Sequence, residues 1–148
     1  NKETKRAELT IMLKDSESGA KRYITANGKV ASLKVEPIVK RNSVFFDVKV
    51  KLEVELRGFQ NNIEEKEVRK EVEKEVKKEI KDTFTAGLNI NSDVFRLSEY
   101  LYRKDVNAWK KFESNGKIEL NENSIHNINV EIVSVYSGRK NFSETIRR

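Results

Sequence analysis

The sequence predicts an α+β fold: an antiparallel or mixed sheet of about four strands, with one long and two short helices packed on one face. Three observations carry this prediction. From Val44 to Arg57 the residues alternate without a break. Phe46, Val48, Val50, Leu52, Val54 and Leu56 are apolar, and Asp47, Lys49, Lys51, Glu53, Glu55 and Arg57 take the other positions. That is a long strand with one face buried and one face wet. Residues 62 to about 86 then switch to apolar positions four apart, which is a helical pattern. Around this pair lie earlier strand signals, two shorter helical patterns and a last alternating run. The predicted order is three strands, three helices and one strand.

The first strand is read from residues 7 to 13, where Leu9, Ile11 and Leu13 share a face. A polar loop follows from Lys14 to Ser18. Asn27-Gly28 is a tight-turn signal between Tyr23-Ile24 and a second run, Val30 to Val39. Pro37 lies inside that run and places it at an edge or at a break in pairing. The long helix opens at Asn62 with Glu65 as its capping-box partner, and Gly87 is its expected stop. Within it Val68, Val72, Val76, Ile80 and Phe84 step by four, a line that drifts roughly 40° per step around a helix. A coiled-coil seam steps by 3.5 on average, so the line reads instead as an oblique stripe laid across a sheet. Two short helices come next. One runs from Ser92, its expected cap, to about Arg103, and the other from about Asp105 to Ser114. After a polar stretch from Asn115 to Asn127, Ile128, Val130 and Ile132 open a last strand that ends near Gly138. Val133 and Val135 fall out of phase there, as at a bulge. The tail Arg139 to Arg148 is polar and expected to be loose.

At 148 residues, with one Pro, six Gly and no Pro/Gly/Ser-rich stretch, the chain reads as a single domain. There is no cysteine, which excludes disulfides, thiolate metal sites and cysteine nucleophiles. No run approaches the roughly 18 apolar residues of a membrane span. The chain opens Asn1-Lys2-Glu3-Thr4 without a Met, as expected of a processed protein or an excised fragment, and an upstream anchor stays open. Net charge is +6, from 30 Lys and Arg against 24 Asp and Glu. With both signs interspersed this is first of all a solvated surface, and its pull on anionic lipid is expected to be electrostatic and weak.

Catalytic chemistry finds little to stand on. His126 is the only histidine, sits at the start of a strand beside Asn127, and has no nucleophile motif nearby. One histidine and no cysteine make a zinc site a poor fit. Carboxylate pairs such as Glu64-Glu65, Glu53 with Glu55, and Glu71 with Glu75 lie on faces rich in Lys. Acid/base work needs two carboxylates in a cleft with their pKa values driven apart. No Gly-rich phosphate loop is present. Lys110-Lys111, Arg139-Lys140 and Arg147-Arg148 are short basic clusters, but no nucleic-acid signature accompanies them and the long helix alternates Glu with Lys. The expected work is therefore binding, with no cofactor, no metal and no nucleic acid. Phe95, Tyr100, Tyr102, Trp109 and Phe112 fall within eighteen positions, dense enough for the two short helices to form a docking surface. Tyr100 and Tyr102 are two apart on a helix and face roughly 200° apart, so at least one is expected outside.

Residues from about 20 to 140 resemble the C-terminal domain of the Ger(x)C family, the C subunit of bacterial spore germinant receptors. The strand ending Leu56-Arg57-Gly58 and the helix Glu64 to Lys81 carry the resemblance first. Asp93-Val94-Phe95 then matches the family's Asp-Val/Ile-Phe/Leu-Gly segment. Arg103-Lys104 and Trp109-Lys110-Lys111 match its basic residues and Pro-x-x-Trp-Lys segment, and Ile128 to Gly138 matches its closing strand. Arg96 stands where the family usually has Gly, Val106 where it has Pro, and a second Trp after Trp109 is absent. The resemblance implies a non-enzymatic lipoprotein on the outer face of the spore inner membrane, tethered by a lipidated Cys upstream of these residues. It also implies two membrane-associated partner subunits, of the A and B types, and a role in nutrient-triggered germination by docking them at the membrane surface. A membrane-proximal lipoprotein domain of another secretion or transfer apparatus is the other reading. The residues expected to dock a partner are Asp93, Arg96, Tyr100, Tyr102, Arg103 and Trp109.

Overall fold

A computed structural model describes residues 6–15, 18–57 and 64–137. Six strands and three helices occur among them: β1 (Arg6–Lys14), β2 (Lys21–Val39), β3 (Val44–Leu56), α1 (Glu65–Asn89), α2 (Leu97–Lys104), α3 (Val106–Phe112), β4 (Glu113–Ser114), β5 (Lys117–Ile118) and β6 (Ile125–Ser137). The class is α+β, with a mixed four-stranded sheet in the order β1-β2-β3-β6 and a separate two-stranded ribbon of β4 and β5. The expected cap Asn62, the strand end near Gly138 and the tail Arg139 to Arg148 lie outside the described residues.

Packing divides the chain into two compact units. The first draws on Asn1–Leu33, Val50–Lys77 and Val130–Arg148, the second on Lys34–Lys49 and Lys78–Asn129. In the first unit, β1 pairs antiparallel with β2 from Arg6↔Lys29 to Lys14↔Lys21, which sets Leu9, Ile11 and Leu13 on the same face as Ala26 and Ile24. The hairpin turns at Asp15–Ala20: Asp15 N donates to Ala20 O (2.8 Å), Gly19 takes φ 72°, and the buried Asp15 pairs with Arg22 (3.2 Å). The turn expected at Asn27-Gly28 is not made. Those residues lie mid-strand in β2, opposite Glu8 and Ala7. A two-residue turn there would have given up the long register with β1 that buries Leu9 and Ile11, so pairing overrides the local signal. Pro37 lies on the half of β2 beyond that register, which is where a strand tolerates a missing N–H.

The same unit buries Val50, Leu52, Val54 and Leu56 of β3 and Val68, Val72 and Val76 of α1, the inward positions that the alternation and the stripe predict. Along β6, Val130, Ile132 and Val135 are buried and Val133 is 43% exposed, so the burial phase shifts between Ile132 and Val135. At that point the Ile132 carbonyl accepts from Arg69 Nη1, and Arg69 is also held by Glu65 (3.0 Å). A charge-assisted bond of this kind satisfies a backbone group at the sheet margin.

In the second unit the core is Phe46, Phe84, Leu97, Leu101, Ala108 and Ile118, with Val35, Val44, Leu88, Phe95, Trp109, Leu120 and Ile125 packed around it. Here α1 continues past Gly87 to Asn89, and the stop is a Schellman motif. Ser92 N donates to Gly87 O (2.8 Å) and Asn91 N to Leu88 O (3.0 Å), with Asn91 left-handed at φ 53°. Gly87 is needed for a different reason than the one expected. A Cβ there would lie 2.7 Å from Val94 Cγ1 and 2.9 Å from Ser92 O. Inside the polar stretch, Asn115-Gly116 makes the tight turn that joins β4 to β5, with φ of 53° and 78°. The last strand consequently starts at Ile125, with Phe46 N donating to Ser124 O (2.8 Å) just before it.

Candidate functional site

The two short helices are held by a pair of aspartates. Asp93, not Ser92, caps α2: its carboxylate accepts from Leu97 N and Ser98 N, each at 2.8 Å. Ser92 belongs to the end of α1 instead. Two backbone donors reach one carboxylate because Arg96 turns the chain in a left-handed conformation, φ 56° and ψ 41°. Asp105 closes α2 and opens α3. Its N–H donates to Leu101 O (2.8 Å), and its Oδ1 accepts from Ala108 N (3.0 Å). Leu97 and Leu101 point into the core, as does Ala108, so both helices are anchored by their inner faces.

Their outer faces carry the residues that sequence reasoning singled out. Tyr102 is 50% exposed and meets Trp109 edge-to-face, with ring centroids 5.1 Å apart. Trp109 is partly buried against the core, so the pair joins an anchored ring to an open one. Val106, one helical turn before Trp109, is 40% exposed and completes an apolar patch. Tyr100 is half-buried under the Arg103 guanidinium (5.9 Å to the ring centroid), and Arg103 pairs with Glu99 (3.6 Å). Phe95 turns inward and stacks on Phe84. Of the six expected docking residues, then, Tyr102 and Trp109 come together, and Tyr100 and Arg103 form a neighbouring pair. Asp93 is engaged with backbone, and Arg96 is exposed at the bend. Val106 was missed as a surface residue; its place at the first turn of a helix, three before Trp109, is the signal that could have found it.

Elsewhere, His126 lies 3.3 Å from Asp47, 3.2 Å from the Asn127 amide and edge-on to Phe45. Glu53 pairs with Lys29 (4.0 Å) and Glu71 with Lys74 (3.9 Å). Among the described residues no group of three His, Cys, Asp or Glu side chains is placed to hold a metal ion.

Residues 1–136 match the family model described as spore germination B3/GerAC-like, C-terminal. The chain belongs to this family. A search of curated proteins and of solved structures returned no match. The match takes in the first strand, which the sequence resemblance had left out. The GerAC-like domain is thus a domain of a spore germinant receptor subunit, in a family of membrane-associated lipoproteins that is not one of known enzymes. No helix among its described residues is long and apolar enough to cross a membrane. Two positions at which the chain departs from the pattern of the resemblance acquire a physical meaning. Arg96 sits where φ is positive, a conformation that favours Gly, and Val106 is the first residue of α3, where the missing N–H of a Pro would cost no helical bond.

Proposed function

We propose that this GerAC-like domain is a non-enzymatic docking module, and that the outer face of α2 and α3 is where it meets a membrane-associated partner subunit of the germinant receptor. The observation that carries the reading is the Tyr102–Trp109 pair with Val106 beside it. It is an exposed apolar patch built on two helices whose inner faces, caps and joint are fully committed. Aromatic side chains flanked by Arg are the usual anchors of protein interfaces, and Arg103 stands next to Tyr102. Covering Tyr102 removes apolar surface from water without moving the core. The resemblance supplies the setting: an upstream lipid anchor, the outer face of the spore inner membrane, and partners of the A and B types. The test pairs two measurements on Tyr102→Ser, thermal melting and co-purification with the receptor from membranes. Docking at this face requires a variant that still folds cooperatively, melting only a few degrees below wild type for the lost Tyr102–Trp109 contact, and loses its partners. A variant that keeps them places the site elsewhere.

A further inference from the structure

The order of charges along α1 hides how the helix sorts them. Val68, Val72 and Val76 are buried. Lys66, Lys70 and Lys74 stand two positions from members of that line, roughly 200° around the helix, on the outermost crest. All three are exposed, Lys74 at 73% of its side chain. Glu67, Glu71 and Glu75 sit one position before the valines and are half-buried on the flank, where Glu71 is 16% exposed. An alternating sequence therefore presents a lysine-only line about 12 Å long from Lys66 to Lys74. Lys74 reaches only the margin of the flanking Glu71 (3.9 Å), whereas the next position of the series, Lys78, is tied more closely to the exposed Asp82 (3.3 Å), which ends the run.

We infer that this crest is the face the domain turns toward an anionic lipid surface. Lys is a compact, hydrated point charge on a flexible stem, suited to mobile phosphate groups, whereas Arg suits a fixed bidentate partner. The crest holds Lys and no Arg. It holds no apolar residue either, so the contact is made at headgroup level without insertion. Charge complementarity selects the occupant: basic residues at a membrane surface attract anionic lipid, with a reach of one Debye length. The inference rests on the domain working beside a membrane, but not on the docking face of α2 and α3.

The test is co-sedimentation of the 148-residue chain with phosphatidylcholine vesicles, with and without about 30% phosphatidylglycerol. Lys66→Gln/Lys70→Gln/Lys74→Gln is compared with Lys21→Gln/Lys34→Gln/Lys117→Gln, three exposed lysines off the crest with the same change in net charge. Gln matches Lys in helix propensity, so the crest variant folds, as circular dichroism checks. If it does not, Lys70→Gln/Lys74→Gln takes its place. The crest variant is expected to lose about tenfold in partitioning to anionic vesicles at low salt, and the control less than about threefold. With neutral vesicles the wild-type chain should stay in the supernatant. Equal losses in the two variants would mean that net charge alone acts, and would overturn the assignment. So would an unchanged crest variant, or a crest that binds soluble heparin but no vesicle. Co-purification with the receptor, kept by the crest variant and lost by Tyr102→Ser, separates this result from the docking reading.

Discussion

Arg96 and Gly87 are two residues whose backbone decides more than their side chains do. A non-glycine residue at φ 56° is held in a sparsely populated region, and it persists because Asp93 captures Leu97 N and Ser98 N across the bend. Arg96→Gly relieves that backbone conformation and should raise stability by about 0.5–1 kcal/mol, read as a higher urea midpoint at unchanged slope. A lower midpoint would mean that the Arg side chain contributes more than its backbone costs. Gly87 is the opposite case. In an open helix Ala would gain about 1 kcal/mol over Gly. Here the added methyl would meet Val94 Cγ1 at 2.7 Å and Ser92 O at 2.9 Å. Gly87→Ala should therefore lower stability by about 1–2 kcal/mol, and a gain would show that the loop over it moves freely. Neither position was legible as such, because a positive φ on Arg and a close approach at a mid-helix Gly leave no trace in propensity.

At the scale of elements, long periodic segments were legible and local punctuation was not. The alternation of β3 and the four-step line of α1 are found as read, with Val68 and Val72 fully buried. Asn-Gly occurs twice and behaves differently each time. At 115–116 it has only short flanking segments to satisfy, and it makes the turn between β4 and β5. At 27–28 it lies within a strand whose pairing with β1 is long and apolar, and the pairing wins. Ser92 was read as a cap because it is a capping residue in the right neighbourhood, but Asp93, one residue on, reaches two N–H groups instead. The stripe of α1 carries its own test. Val72→Ala removes two methyl groups from a fully buried site and should cost about 2 kcal/mol. Thr83→Ala, on the exposed side of the same helix, should not lower the urea midpoint, and helix propensity should raise stability by up to about 0.7 kcal/mol.

For the molecule as a whole, family membership was legible in the order and spacing of elements, and the docking surface only in part. Helical geometry alone required that Tyr100 or Tyr102 lie outside, and Tyr102 does. That Trp109 would be its partner, and Val106 its neighbour, depended on the joint Asp105 makes between α2 and α3, which no pattern announces. The central claim is that this face binds a receptor subunit, and co-purification from membranes with Tyr102→Ser tests it most directly. Val133→Ser, an equally open apolar position on β6, serves as the control. If the face is an anchor, recovery of the partner subunits should fall by about 30-fold with Tyr102→Ser and stay level with Val133→Ser, both variants remaining folded with melting temperatures lowered by only a few degrees. Undiminished recovery with Tyr102→Ser, or equal losses from the two variants, would contradict the account.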